Sequence, residues 1–95
     1  MFKVEIEFDK TLPADQIEEL CQEIDQIFAE ENVSCIDSSF GKRIYCSEDY
    51  GDTMCGVLSI DEDKELVSHI NKATLYHGDF EPEDLIKECF SYEAV

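Results

Sequence analysis

Basic side chains are scarce in this sequence: seven Lys and Arg stand against 24 Asp and Glu, and 24 − 7 leaves a formal net charge of −17 at pH 7. That deficit excludes direct binding to nucleic-acid phosphates, whose affinity comes from Lys and Arg displacing counterions. Glycine is sparse as well. With four glycines in 95 residues, the chain has no Gly-rich phosphate loop, and it also lacks HExxH, GxSxG and CxxC. No apolar run is long enough to span a bilayer. The start, Met1-Phe2-Lys3-Val4-Glu5-Ile6-Glu7, alternates charged and apolar residues where a signal peptide carries a continuous apolar stretch. Ninety-five residues make one small domain, 1–95, too short for a second core. Together these absences lead us to expect a cytoplasmic protein that is not an enzyme, binds no cofactor and touches no membrane.

Five cysteines, Cys21, Cys35, Cys46, Cys55 and Cys89, are an odd number without close spacing, which reads as free thiols serving as small buried hydrophobes in a reducing compartment. A zinc site drawn from Cys35, Cys46, Cys55 or Cys89 with His69 or His77 matches no compact ligand spacing. Asp61-Glu62-Asp63-Lys64-Glu65 offers oxygens as a calcium loop does, but Leu66 stands where an EF-hand needs Gly and Lys72 where it needs Glu. The sequence therefore predicts no metal site, and the acids there read as a helix start.

What the chain does have is a folded pattern. Phe2, Val4, Ile6 and Phe8 alternate with Lys3, Glu5 and Glu7, a strand with one apolar face. Thr11 is the expected N-cap of a helix with Pro13 in its first turn, and Ile17, Leu20, Cys21, Ile24, Ile27 and Phe28 form its apolar stripe. The segments Val33–Ile36 and Arg43–Cys46 read as hairpin arms, with Gly41 supplying a positive φ at the turn, although a two-residue turn does not align their apolar positions. Glu48 to Asp52 reads as an acidic loop, and Met54 to Ile60 fits a buried strand or part of a helix, with the strand favoured. A helix with Leu66, Val67, Ile70 and Ala73 inward is expected next, then a strand at Thr74–His77 and a last helix opened by Pro82 with Leu85, Ile86, Cys89 and Phe90 inward. This order resembles a ferredoxin-like α+β domain, an antiparallel sheet with helices packed on one face, carrying one extra C-terminal helix.

The distribution of charge points to a partner. Between Lys10 and Lys42 no basic residue occurs, while Asp15, Glu18, Glu19, Glu23, Asp25, Glu30, Glu31 and Asp37 all do. From Ile44 to Asp63 the pattern repeats with Glu48, Asp49, Asp52, Asp61, Glu62 and Asp63. Asp15 with Glu19 and Glu19 with Glu23 are like charges at i, i+4, each costing a few tenths of a kcal/mol, so helix stability does not select them. From Asp15 to Glu31 a helix rises about 24 Å. Its acids fall at one per about 3.4 Å, close to the phosphate spacing along one DNA strand. In size, charge and compactness the chain resembles the acidic nucleic-acid mimics of phages and mobile elements: anti-restriction, anti-CRISPR and uracil-glycosylase inhibitor proteins, and the immunity proteins of basic nucleases. No motif of any one of these families is present.

The sequence thus leads us to expect an inhibitor whose carboxylates occupy the basic groove of a DNA- or RNA-handling protein. The candidate contact residues are Asp15, Glu18, Glu19, Glu23, Asp25, Glu30, Glu48, Asp49, Asp52 and Tyr50, with Tyr45, Tyr50 or Tyr76 as apolar anchors. The alternative is a small regulatory or adaptor module that binds a protein or small ligand through its sheet, or dimerises through an edge strand.

Overall fold

The computed structural model describes residues 1–90. The alternating stretch forms strand β1 (Phe2–Phe8), with Val4, Ile6 and Phe8 buried on one face. Helix α1 (Ala14–Glu30) buries Ile17, Leu20, Cys21, Ile24 and Phe28, the stripe its spacing predicts. Its N-cap is Pro13, without a side-chain cap. Thr11, the expected cap, instead donates from its backbone N–H and its hydroxyl to Asp9 Oδ1, at 2.9 and 2.6 Å, and so closes a turn before the helix. At the other end Asn32 takes a left-handed φ of +64°, Asn32 N–H donates to the Ala29 carbonyl and Val33 N–H to the Phe28 carbonyl. This pair of bonds is a Schellman closure, and it sends the chain straight into the hairpin.

Strands β2 (Ser34–Ser39) and β3 (Lys42–Ser47) form that hairpin, with Ser39 opposite Lys42 and Gly41 at φ +72°. The register shifts between Cys35 and Asp37, so Ile36 is an extra residue. This bulge is why the apolar positions of the two arms do not align in sequence.

The segment 54–60, expected as a strand, is helical: α2 spans Tyr50–Glu62. Asp49 caps it, accepting from Asp52 N–H at 3.0 Å, and Thr53 Oγ1 donates to the Asp49 carbonyl. Thr53, Gly56, Val57 and Ile60 are buried, an i, i+3, i+4, i+7 stripe hidden within an apolar run. The expected loop 48–52 is therefore the cap and first turn of a helix. A short helix α3 (Lys64–Ser68) follows, with Asp63 as its cap through Leu66 N–H at 3.2 Å. It ends earlier than expected, because Ile70 and Ala73 already belong to strand β4 (Ile70–His77). The expected C-terminal helix from Pro82 is also replaced. Glu83–Asp84 pair with Leu75 and Thr74 as a short strand β5, followed by a single π-helical turn, Ile86–Phe90. A helix of so few residues is marginal alone, and the open edge of β4 supplies backbone partners instead.

The protein is α+β, with a five-stranded antiparallel sheet in the order β2-β3-β1-β4-β5. The face of β1 carrying Val4, Ile6 and Phe8 joins Tyr45, Ala73 and Leu75 in one core with the inner sides of α1 and α2. Gly56 sets the closeness of the two helices. A Cβ there would sit 2.5 Å from Phe28 Cε1, so only glycine lets α2 lie against that ring.

Candidate interaction surface

Strand alternation sorts the charges between two sides of the molecule. Lys3, Glu5 and Glu7 face away from the core, and register places Lys42, Ile44, Cys46, Lys72, Thr74 and Tyr76 beside them. This uncovered sheet face holds three of the seven basic residues, and it binds its own acids. Glu5, 8% exposed, accepts from Tyr76 Oη at 3.1 Å and lies 3.2 Å from Lys42 Nζ and 3.8 Å from Lys72 Nζ. Burial works to raise the Glu5 carboxyl, but Lys42, the Tyr76 hydroxyl and Lys72 together outweigh it and hold the group below its ordinary value. Glu7 pairs with Lys72 at 3.9 Å and Lys10 at 4.0 Å.

The helical side is different. Asp15, Glu18, Glu19, Glu23 and Glu30 are all exposed on α1, and among the described residues no ion pair reaches any of them. A cleft of about 440 Å³ between α1 and α3 is lined by Asp15, Glu19, Glu23, Asp63 and Glu65 together with Gln16 and Leu66. There the Glu23 carboxyl is pushed above its ordinary value, first by burial and then by the charges of Asp63, Glu65 and Glu19. The cleft therefore concentrates carboxylates of like charge.

The remaining candidates divide. Asp25 is half-buried and engaged within the chain: Tyr45 Oη donates to its Oδ1 at 2.5 Å and Arg43 Nε lies 3.2 Å from the same oxygen. Tyr45 is 1% exposed and stacked on Phe28, so it is a core residue and not an anchor. Burial, and then the Asp25 carboxylate, drive its hydroxyl far above the usual tyrosine range. Glu48 is exposed, Asp49 is occupied as the α2 cap, and Asp52 is half-buried in the first turn. Tyr50 is 52% exposed while its ring contacts Phe2. Tyr76 lies on the sheet face, away from the acidic helices. The structure thus gathers Asp15, Glu18, Glu19, Glu23 and Glu30 on one helix, groups Glu48, Asp49, Tyr50 and Asp52 at the start of α2, and pairs the half-buried Asp25 with Arg43 and Tyr45. Sequence reasoning missed Asp63 and Glu65 as neighbours of Glu23; their acidity was visible, but the turn from α2 to α3 that places them there was not.

The thiols are free, and Cys21 is buried, whereas Cys35 and Cys55 are exposed and not the core hydrophobes expected of them. Burial pushes the Cys21 and Cys89 thiols up, the opposite of what a nucleophile needs. His69 Nε2 lies 3.4 Å from Gln16 Nε2, and His77 Nε2 lies 2.7 Å from Glu83. Among the described residues no group of three or more His, Cys, Asp or Glu is arranged to hold a metal ion, and no helix is long and apolar enough to cross a membrane.

No protein-family model matches the chain, no curated protein matches it in sequence, and no solved structure matches its fold. What the surface can do must be argued from its own chemistry.

Proposed function

We propose that the protein is an acidic inhibitor that mimics nucleic acid and occupies the basic groove of a cytoplasmic DNA- or RNA-handling protein, as anti-CRISPR, anti-restriction and nuclease-immunity proteins do. The observation that carries this reading is the separation of charge. Lys42 and Lys72 of the sheet pair with Glu5 and Glu7, while Asp15, Glu18, Glu19, Glu23 and Glu30 of α1 stand exposed with no ion pair among the described residues, and burial together with the charges of Asp63, Glu65 and Glu19 raises the Glu23 carboxyl. Such an arrangement costs stability within the monomer and is relieved when a basic surface covers it. Acids fixed on a rigid helix need no ordering on contact, and the net charge of −17 speeds encounter at low salt. The reading includes a ferredoxin-like core: taken from the other edge, the first four strands run β4-β1-β3-β2, with helical crossovers on one face.

A second reading has its own support. The uncovered sheet face holds a depression of about 560 Å³ lined by Met1, Lys3, Glu5, Lys42, Ile44 and Tyr76, and all six residues of the edge strand β2 are exposed. These features suit an adaptor that binds through its sheet or dimerises through that edge.

Affinity capture by the tagged protein from nuclease-treated lysate, at low and high salt, separates the two. Mimicry predicts a basic nucleic-acid-binding protein retained at low salt and displaced by added DNA or RNA. An acidic or neutral partner indifferent to both would overturn mimicry in favour of the adaptor.

A further inference from the structure

Four rings line up at one end of the sheet, at the rim of the core. Phe2 lies 5.2 Å from Tyr50 and 6.1 Å from His77 between ring centroids, and His77 stacks on Phe80 at 5.1 Å with 25° between planes. The order along the row is Tyr50, Phe2, His77, Phe80. Both ends are wet: Phe80 is 73% exposed and Tyr50 52%. A hollow of about 150 Å³ opens where Met1, Phe2, His77, Gly78 and Phe80 meet.

Local backbone chemistry sets the row in place. Gly78 takes a φ of +60° and Phe80 N–H donates to the His77 carbonyl at 3.2 Å, so a tight turn folds Phe80 back onto the imidazole. Glu83 fixes that imidazole through Nε2 at 2.7 Å. A phenyl ring folded back in this way and still mostly in water gains little from burial, so the core does not account for its position.

Charge indicates what would cover it. Glu48 and Asp49 precede Tyr50, Asp79 and Glu81 flank Phe80, and no Lys or Arg occurs from Ile44 to Asp63 or from Ala73 to Ile86. Lys3, next to Phe2 in sequence, lies on the opposite face of β1. Flat rings bordered by carboxylates fit one kind of side chain best. A guanidinium stacks its plane on an aromatic face while its N–H donors reach acids at the rim, and an ammonium does this less well because it is more strongly hydrated.

We infer that the row Tyr50, Phe2, His77 and Phe80 is a stacking ledge for arginine side chains of a basic protein partner, with the exposed end rings Phe80 and Tyr50 as its stacking faces and Phe2 and His77 as the support between them. The inference rests on the partner being basic, and it adds the apolar contact that gives residence time where the acidic helix gives steering. Of the three expected anchors it keeps Tyr50, and it sets the exposed ring of Phe80 in place of the buried Tyr45.

The test is an NMR titration of the full chain, at low salt, with the blocked peptide acetyl-Gly-Arg-Gly-Arg-Gly-amide, its lysine counterpart and its leucine counterpart. The ledge predicts that ring resonances of Phe2, Tyr50, His77 and Phe80 move, and that the arginine peptide binds about threefold or more tighter than the lysine one. Phe80→Ala, a change at an exposed ring, should abolish that preference without changing the thermal melt. Equal binding of arginine and lysine peptides, an arginine preference retained in Phe80→Ala, or tightest binding of the leucine peptide would overturn the ledge. If both basic peptides bind equally and move only α1 resonances, the ledge falls and the basic-partner reading stands. If neither basic peptide binds, both fall.

Discussion

Replacing Gly56 by alanine sets two effects of opposite sign against each other. In a helix interior alanine is favoured over glycine by about 1 kcal/mol, so propensity alone predicts a more stable protein. The new methyl, however, would sit 2.5 Å from Phe28 Cε1 and 2.6 Å from Cδ1, where carbon atoms ordinarily meet at about 3.5–4.0 Å. The ring would have to retreat by about 1 Å. It has nowhere open to go, because Phe28 is 0% exposed and stacked at 4.2 Å on Tyr45, whose hydroxyl is tied to Asp25. Overpacking of this kind costs about 1–3 kcal/mol, and a displacement passed through two rings belongs at the upper end. We expect Gly56→Ala to destabilise the fold by about 2 kcal/mol net, lowering the thermal midpoint by about 8–16 °C for a domain of this size. Urea denaturation followed by circular dichroism reads the change directly. Phe28→Leu in the same background should recover part of the loss, since the smaller side chain frees the space the methyl needs. A variant as stable as the wild type, or more so, would refute the close approach of α1 and α2.

Asp25→Ala should cost about 1–3 kcal/mol in the same urea assay, because it strands the buried Tyr45 hydroxyl and takes the carboxylate from Arg43 Nε, leaving that guanidinium only its Nη1 bonds to the Ser39 and Lys42 carbonyls; a neutral effect would mean that the Tyr45–Asp25–Arg43 contacts do not hold α1 to β3. Stability should also depend on pH in two opposed ways. Glu23 has a raised carboxyl, so its protonated form suits the native state, and stability increases as pH falls from 7 through its folded value toward the ordinary 4.5. Glu5 has a lowered one, so its contribution holds above the ordinary value and is lost as pH falls through the folded value below it. Thermal midpoints measured across this range should rise on mild acidification and then decline, and Glu23→Gln should flatten the rise. A steady loss from pH 7 downward would mean that the acids of α1 are individually stabilised.

Much of the fold was legible in sequence where one periodicity dominated. The alternation of Phe2 to Phe8 and the stripe from Ile17 to Phe28 gave β1 and α1, and Gly41 marked the hairpin turn. The segment Met54 to Ile60 was misread because a continuous apolar run fits a buried strand and a buried helix equally well. The discriminating signal lay in Asp49 as an upstream cap and in Thr53, Gly56, Val57 and Ile60 at helical spacing. The C-terminal segment went to a strand and a π-turn because the edge of β4 was open, a tertiary circumstance that local propensity does not encode. The acidic surface was legible as composition, since exposure of Asp15, Glu18, Glu19 and Glu23 follows from the apolar stripe opposite them. The role of Asp25 was not, because Tyr45 and Arg43 reach it on α1 from strand β3, 20 and 18 residues away. The aromatic row is likewise built from three distant segments, and no local pattern announces it.

The central claim, that the exposed acids of α1 form the surface presented to a basic partner, is tested most directly by reversing their charge. Glu18, Glu19 and Glu23 are exposed, and no ion pair among the described residues reaches them, so the triple change to Lys should leave the circular dichroism spectrum intact and the melt unchanged or higher. Binding of the captured partner, measured by calorimetry at low salt, should be abolished. Full affinity retained by a folded triple variant would contradict the account.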